Sequence, residues 1–339
     1  MSLLDSLRKL VDGADLGFDE CVAAVEQIVA ADASPGAVAA FLVALRMKGE
    51  TADELAGLAS AMRDRALPVR PAATGLVDTC GTGGDRKGTL NVSTAAAFVV
   101  AGAGLPVAKH GNRAVSSRTG SADVLEALGV RLDLTPKQVE RCIDEAGIGF
   151  MFAPAFHPAM ARLMPLRTEL RIPTSFNLLG PLTNPARPSF QLVGVGDPGR
   201  VEVVAHALAR LGVERALVVH GADGADELTL QGDNTVFTVD AGSVTRSSIT
   251  AADAGLPEAP LESLSGAEAE GNAHELRDVL DGRPGAFRDC VLLNAGAAFV
   301  AAGAADDVRE GAVLAAKSID SGEAAAALER LVDLSRSLP

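Results

Sequence analysis

The chain has 339 residues and contains no tryptophan and no tyrosine; phenylalanine, present 11 times, is its only large aromatic residue. Proteins that stack nucleic-acid bases rely on aromatic faces, and here only Phe, His or Arg remain for that task. Basic residues are also scarce. Lys and Arg number 30 against 44 Asp and Glu, a net charge of −14. A general nucleic-acid surface needs the opposite balance. Cysteine occurs four times, at Cys21, Cys80, Cys142 and Cys290, and never as CxxC. That spacing argues against a zinc site or a disulfide framework and predicts buried, reduced thiols in a cytoplasmic protein. Apolar runs are short and interrupted, so no stretch of about 20 residues is predicted to cross a membrane. Met1-Ser2-Leu3-Leu4-Asp5 lacks the basic start and apolar block of a secretory signal. Gly (35) and Pro (17) are too few for a collagen-like or low-complexity chain. What remains is a globular chain, 48% hydrophobic and 22% charged.

Two regimes follow one another along the chain. Residues 1–72 read as helices only. Ser34-Pro35 combines an N-cap with proline at the first helical position, and Val38, Phe41, Leu42 and Leu45 follow at helical spacing. Lys48-Gly49 reads as a helix end. Thr51 with Glu54 forms a capping box for the next helix. Pro68 and Pro71 mark a linker. From residue 75, apolar runs alternate with helical stretches. Strands are predicted at 75–80, 105–109, 149–152, 191–195 and 216–220. Helices are predicted at 94–103, 122–128, 136–146 and 200–211, and a hairpin at 235–250. Residues 265–280 and 290–335 are Ala-rich and predicted to be helical. The alternation predicts an α/β domain with a mainly parallel sheet.

Five segments carry chemistry. Asp78 to Asp85 places three glycines within four positions after a strand, which lets a backbone turn present N–H groups to an anion. It is neither a dinucleotide fingerprint nor a Walker A loop. Asp85 suits a ribose hydroxyl or a metal. The bland alternative is a tight turn without a ligand. Asn91-Val92-Ser93-Thr94 opens a helix; Ser93 or Thr94 reads first as a cap, and, beside a glycine loop, also as a phosphate site. Lys109 to Arg118 follows a strand and combines cations, small hydroxyls and glycine, as a phosphate site would. Between Gly81 and Arg118 the bases Arg86, Lys87, Lys109, Arg113 and Arg118 face one acid, Asp85. This island of positive charge in an acidic chain should focus a small polyanion. Asp226-Glu227, in a glycine-containing loop, suits Mg²⁺ or is simply solvated. Arg162, Arg167 and Arg171 precede a rigid turn at 177–185, and any of the three could clamp a carboxylate.

Taken together these blocks resemble the anthranilate phosphoribosyltransferase family, of the nucleoside phosphorylase-like phosphoribosyltransferase fold. The resemblance rests on GTGGD at 81–85, NVST at 91–94, KHGNRAVSS at 109–117, GFMFAPAFHPAM at 149–160, NLLGPLTNPA at 177–186 and DE at 226–227. Leu90, Phe156 and the Arg86-Lys87 pair depart from the usual family residues, and no motif position is lost. The resemblance implies a small N-terminal helical domain, 1–72 with about 165–188 packing on it, and a larger α/β domain, 73–164 with 189–339. It implies transfer of the phosphoribosyl group of 5-phosphoribosyl 1-diphosphate to the amine of anthranilate, in tryptophan biosynthesis, with two Mg²⁺ ions per site. A homodimer formed through the helical domain is implied as well.

Carried over by position, Gly81, Gly84, Asp85, Thr89, Asn91, Ser93, Thr94, Lys109, His110, Gly111, Asn112, Arg113, Ala114, Val115, Ser116, Ser117 and Ser121 line the diphosphate substrate's site. Ser93, Asp226 and Glu227 serve the metal. Gly81, Asn112 and Arg167 serve anthranilate, and the resemblance thereby selects one arginine from three. Lys109, Asn112 and Arg167 are the expected catalytic set, with His110 lining the site and not acting as an essential base. Two other readings compete. One is a pyrimidine-nucleoside phosphorylase on the same fold. The other is a non-catalytic, nucleic-acid-binding relative, which the acidic charge disfavours.

Overall fold

The computed structural model describes residues 2–30, 32–114 and 118–339, with the side chains of Arg162 and Arg167 also outside the description. Four helices come first: α1 (Leu3–Val11), α2 (Phe18–Ala30), α3 (Pro35–Lys48) and α4 (Ala52–Arg65). Their boundaries follow local chemistry. Ser34 Oγ accepts the Ala37 N–H and Pro35 sits in the first turn. Gly49, at φ 90°, ends α3. Thr51 and Glu54 form the reciprocal capping box of α4. Glu54 does more than cap. Its buried carboxylate also accepts the Leu16 N–H at 2.9 Å and pairs with Lys48 at 2.9 Å. One side chain thus joins three helix ends.

The second part alternates strand and helix. Its elements are β1 (Val77–Thr79), α5 (Val92–Gly102), β2 (Val107–Gly111), α6 (Ser121–Leu128), α7 (Pro136–Arg141), β3 (Ile148–Phe152), α8 (Ala153–Phe156), α9 (Met164–Leu170), α10 (Phe176–Leu179), β4 (Phe190–Gly194), α11 (Val201–Arg210) and β5 (Arg215–His220). The hairpin β6 (Asn234–Asp240) and β7 (Ser243–Ile249) follows, then α12 (Ala269–Leu280), α13 (Ala286–Ala301), α14 (Val308–Asp320) and α15 (Glu323–Ser337). One seven-stranded sheet runs β3-β2-β1-β4-β5-β6-β7. Its first five strands are parallel; β6 and β7 are antiparallel. The expected mainly parallel sheet and terminal hairpin are therefore present.

Strand side chains alternate between two cores, as a period of two requires. Leu192 and Leu217 join the core built with α5, α13 and α15. Val193 and Val218, one residue on, join a core shared with α11 and with Phe41, Leu45, Leu55 and Leu58 of the helical bundle. Both faces are covered, which explains why the central strands read as continuous apolar runs and not as alternating ones.

Three local expectations change. The helix predicted over 136–146 is α-helical only to Arg141 and continues as a π-helical turn, Cys142–Ala146, ending at left-handed Gly147. The expected rigid turn at 177–185 is instead α10 followed by a 3-10 turn, Pro181–Thr183. Cys21, Cys142 and Cys290 are buried free thiols, and burial pushes Cys21 up to about 12 and Cys142 to about 11. Cys80 departs from that pattern: it is half-buried and borders a cleft. Among the described residues no helix is long and apolar enough to cross a membrane.

Candidate active site

In an open parallel sheet, ligands bind beyond the carboxyl ends of strands where the chain order reverses. Here that point lies between β1 and β4, since β2 and β3 continue to one side of β1 and β5 to the other. A cleft of about 540 Å³ opens there. The loop after β1 crosses to β4 through the Thr82 N–H, which the Gly194 carbonyl accepts at 2.8 Å. The acidic loop after β5 descends onto the same point. A Cβ on Gly194 would overlap the Asp226 backbone, and one on Gly81 would overlap the Asp226 carboxylate. These two glycines are required by close approach, which lets Asp226 stand beside the glycine loop.

The polar half of the cleft is assembled from that contact. Asp226 Oδ2 accepts the Gly83 N–H at 2.6 Å, and Asp85 Oδ2 accepts the Asp226 N–H at 3.4 Å. Glu227 Oε1 accepts the Ser93 N–H at 3.1 Å, in the first turn of α5. Burial raises both the Asp226 and Glu227 carboxyls well above the ordinary range. The charge of Asp85 adds to this at Asp226, and that of Asp226 adds to it at Glu227. Crowded, desolvated carboxylates are stabilised by a divalent cation, and an all-oxygen donor set suits Mg²⁺. Among the described residues no three His, Cys, Asp or Glu side chains converge as a ready-made metal site. Asp226 and Glu227 thus fit an ion whose remaining positions are filled by substrate oxygens and water.

The cap reading of Ser93 and Thr94 is corrected. Helix α5 begins at Val92 with Asn91 at the N-cap, making no side-chain cap bond. The Asn91 amide is committed elsewhere: Nδ2 donates to Thr119 O at 3.3 Å, and Oδ1 accepts from Asn272 Nδ2 at 2.9 Å. Ser93 lies inside the first turn, where Glu227 takes its N–H.

Lys109, on β2, is buried at 2% exposure. Its Nζ donates to the Thr79 carbonyl, with Thr79 Oγ1 at 3.5 Å. Its charge opposes the upward shifts of both Asp78 and Glu227. Arg113, read from sequence as a phosphate-site cation, is turned to two acids, Asp123 at 2.9 Å and Glu126 at 2.8 Å.

The other half of the cleft is less polar. Met62 of the helical bundle, Met160, Phe176 and Leu179 line it together with His110 and His157. The two imidazole rings lie 5.2 Å apart. His110 Nδ1 meets the Gly180 carbonyl at 3.0 Å. A carbonyl only accepts, so Nδ1 carries the proton and Nε2 the lone pair. Among the described residues, neither His110 Nε2 nor His157 Nε2 has a hydrogen-bond partner. Burial, together with His157, lowers His110 to about 3, and burial lowers His157 to about 4. Both rings are neutral at pH 7.

Gly81, Gly84, Asp85, Thr89, Asn91, Ser93, Lys109, His110, Gly111, Asn112, Arg113, Ala114, Ser121, Asp226 and Glu227 all border this one cleft. Thr94 is fully buried and does not border it. Val115, Ser116 and Ser117 lie outside the described residues. So does the side chain of Arg167, whose backbone belongs to α9. Sequence reasoning gave no role to His157, Met62, Met160, Phe176, Asn177 or Gly180. The GFMFAPAFHPAM block is the local signal for His157 and Met160 and NLLGPLTNPA that for Asn177 and Gly180, whereas Met62 and Phe176 reach the cleft only through tertiary packing.

Known proteins share this fold. Residues 4–66 match the model for the helical bundle domain of a glycosyl transferase family, and residues 73–325 match its a/b domain. The fold and cleft therefore define a two-domain glycosyltransferase. Anthranilate phosphoribosyltransferase of Rubrobacter xylanophilus is 56% identical over 337 residues, covering 99% of this chain and 98% of that one. The crystal structure of the Thermus thermophilus enzyme of that name superposes with a TM-score of 0.93 at 47% identity, covering 98% of this chain and 100% of that one. The Saccharomyces cerevisiae enzyme, in a structure described as a complex with PRPP and Mg, gives a TM-score of 0.90 at 29% identity, covering 99% and 98%. The chain belongs to the anthranilate phosphoribosyltransferase family: it is a phosphoribosyl-transferring enzyme of tryptophan biosynthesis.

Proposed function

We propose that the polar half of the cleft binds 5-phosphoribosyl 1-diphosphate with two Mg²⁺ ions, and that the less polar half binds anthranilate. One observation carries this reading: a glycine loop, a helix start and two buried carboxylates meet in one cleft whose far wall is apolar and imidazole-lined. Gly81, Gly84, Asp85, Thr89, Asn91, Ser93, Lys109, Gly111 to Ser117 and Ser121 serve the diphosphate substrate, with Thr94 buried behind them and His110 on the wall shared with the less polar half. Ser93, Asp226 and Glu227 hold the metal. Gly81, Asn112 and Arg167 serve anthranilate.

Breaking the C1–oxygen bond leaves positive charge on the ribose and negative charge on pyrophosphate. When bound, Mg²⁺ neutralises the charge that develops on the leaving group. Asp226 and Glu227 fix where that neutralisation occurs. Lys109 and the loop N–H groups add electrostatic stabilisation. An aromatic amine is uncharged near pH 7, so its nitrogen attacks without a strong base. Orienting two substrates supplies much of the remaining rate. His110 and His157, neutral and weakly basic, line the site without carrying a proton away.

The bundle 1–72, with 165–188 packed on it, forms one domain, and 73–164 with 189–339 form the other. The contacts of α10 with α4 and of α9 with α3 support this division. The protein works as a cytoplasmic homodimer joined through the bundle, where Val11 and Met47 are exposed at 72% and 82%. The decisive assay mixes protein, anthranilate, 5-phosphoribosyl 1-diphosphate and Mg²⁺ and follows anthranilate fluorescence. Magnesium-dependent loss of signal is expected. No consumption, with phosphorolysis of uridine or thymidine instead, overturns the reading.

A further inference from the structure

The GPLTNP segment, one of the most distinctive blocks in the sequence, has no part in the reaction steps above. Its place in the fold suggests one. Strands β1 and β2 are paired only at Val77 and Val107. Beyond that pair, side chains bridge the two strands. Asp78 and Asn184 meet there, both fully buried. Asp78 Oδ2 accepts from Asn184 Nδ2 at 2.8 Å, and Asp78 Oδ1 accepts the His110 N–H at 3.3 Å. The second proton of Asn184 Nδ2 goes to Ala108 O at 2.8 Å, and Asn184 Oδ1 accepts the Ala186 N–H at 2.9 Å. Every hydrogen-bonding proton of this amide is used.

The same short segment holds His110 a second time. Gly180, four residues before Asn184, accepts from His110 Nδ1. His110 is therefore gripped at its backbone by Asp78 and at its ring by Gly180, and Asn184 is the clasp between the two grips. Gly180 O is also within 3.2 Å of Thr183 Oγ1, so its direction is fixed from inside the segment. The outcome is a single imidazole tautomer, with a buried, unpartnered Nε2 lone pair on the cleft wall. An unmet acceptor in a desolvated wall favours a ligand that brings an N–H donor. The amine of anthranilate is such a donor.

We propose that Asp78 and Asn184 are a positioning pair that fixes His110 with its proton on Nδ1, so that Nε2 accepts from the substrate amine. This rests on the placement of anthranilate given above. Neither residue touches the substrates; both act through His110.

The test compares the wild type with Asn184→Ser and Asp78→Asn, each alone and combined with His110→Ala. KM for both substrates, kcat and melting temperature are measured. Asn184→Ser should raise the anthranilate KM about tenfold, with the diphosphate-substrate KM within about twofold of wild type by the same reasoning. In the His110→Ala background the same change should add less than about twofold. An equal loss in both backgrounds, or a parallel rise in both KM values, overturns the proposal. A second readout does not depend on turnover. Nitrogen NMR of histidine-labelled protein should show His110 wholly in the Nδ1–H form in the wild type and in mixed forms in Asn184→Ser. If Asn184→Ser does not fold, Asp78→Asn, which keeps the side-chain shape, gives the same readout. A mixed tautomer already in the wild type overturns the proposal. Failure of the wild type to consume anthranilate, with the pure tautomer seen, instead overturns the functional reading.

Discussion

At the scale of single residues, the site is shaped by groups held in states they would not choose in water. Asp226 and Glu227 are raised by burial and by neighbouring charge. A carboxyl raised on folding contributes stability when protonated, and that contribution is lost as pH rises through the raised value. At pH 8 the ionised pair therefore costs folding free energy. Asp226→Asn should stabilise the metal-free protein at pH 8 by about 1–2 kcal/mol. It should also lower kcat/KM by about a hundredfold or more, because the metal loses a ligand. Thermal melts beside steady-state rates check both halves; a variant that loses stability and keeps activity contradicts the assignment.

His157 works in the opposite sense. Burial lowers it from 6.5 to about 4. Between those values the unfolded chain binds a proton that the folded protein does not. Its contribution is complete above about pH 6.5 and is lost as pH falls toward 4. His157→Asn should remove about 2 kcal/mol of the stability difference between pH 7 and pH 5, measurable by denaturant titration at the two pH values. An unchanged difference would show that the ring is not held neutral. The residue scale is also where the sequence is least legible. Asp78, Asn184, Asn272 and His157 gain their meaning from partners many positions away, as with Asn91 and Asn272 across 181 residues. A buried polar pair leaves no periodic trace in either segment.

At the scale of elements the sequence is far more readable, because caps and turns are local. Ser34, Thr51 and Gly49 mark their helix ends as read. The strands appear where apolar runs alternate with helical stretches. What local chemistry missed are the elements decided by packing: the π-helical turn after α7, and the helical form of 176–183, where Pro181 begins a 3-10 turn. The shift of the α5 start from the expected Thr94 to Val92 belongs here too, since Glu227 and Asn272 arrive from distant segments. The close approach of β4 to the acidic loop is an element-scale constraint with its own prediction. Gly194→Ala drives a methyl group into the Asp226 backbone. It should destabilise the protein by about 1–3 kcal/mol and raise the magnesium concentration needed for half-maximal activity several-fold. Unaltered magnesium dependence would mean that the loop adjusts without moving its carboxylates.

At the scale of the whole molecule, the fold concentrates at one end of the sheet what overall composition averages out. The proposed binding of a phosphorylated sugar by so acidic a chain draws on the glycine-loop amides and Lys109, which border the same cleft. The bundle and one sheet face share a core, so the two parts of the chain are mechanically joined. The bundle's exposed apolar residues lead to a concentration-dependent prediction. Val11→Glu combined with Met47→Lys should shift the protein toward monomer in light scattering, with the melting temperature at high dilution little changed. A double variant that stays dimeric moves the interface elsewhere.

The segment from Gly180 to Asn184 has a consequence for how the gene can vary. Three successive carbonyls face three different parts of the protein: Gly180 O toward His110, Pro181 O toward Gln191 and Leu182 O toward Arg63. Such a segment works as a ruler of fixed length. One glycine inserted between Leu182 and Thr183 should abolish turnover in cell extracts and fail to support growth without tryptophan. The same insertion at the exposed tip of the hairpin, after Ala241, should be silent. Length variation among descendants of this gene should accumulate at the hairpin and avoid the ruler.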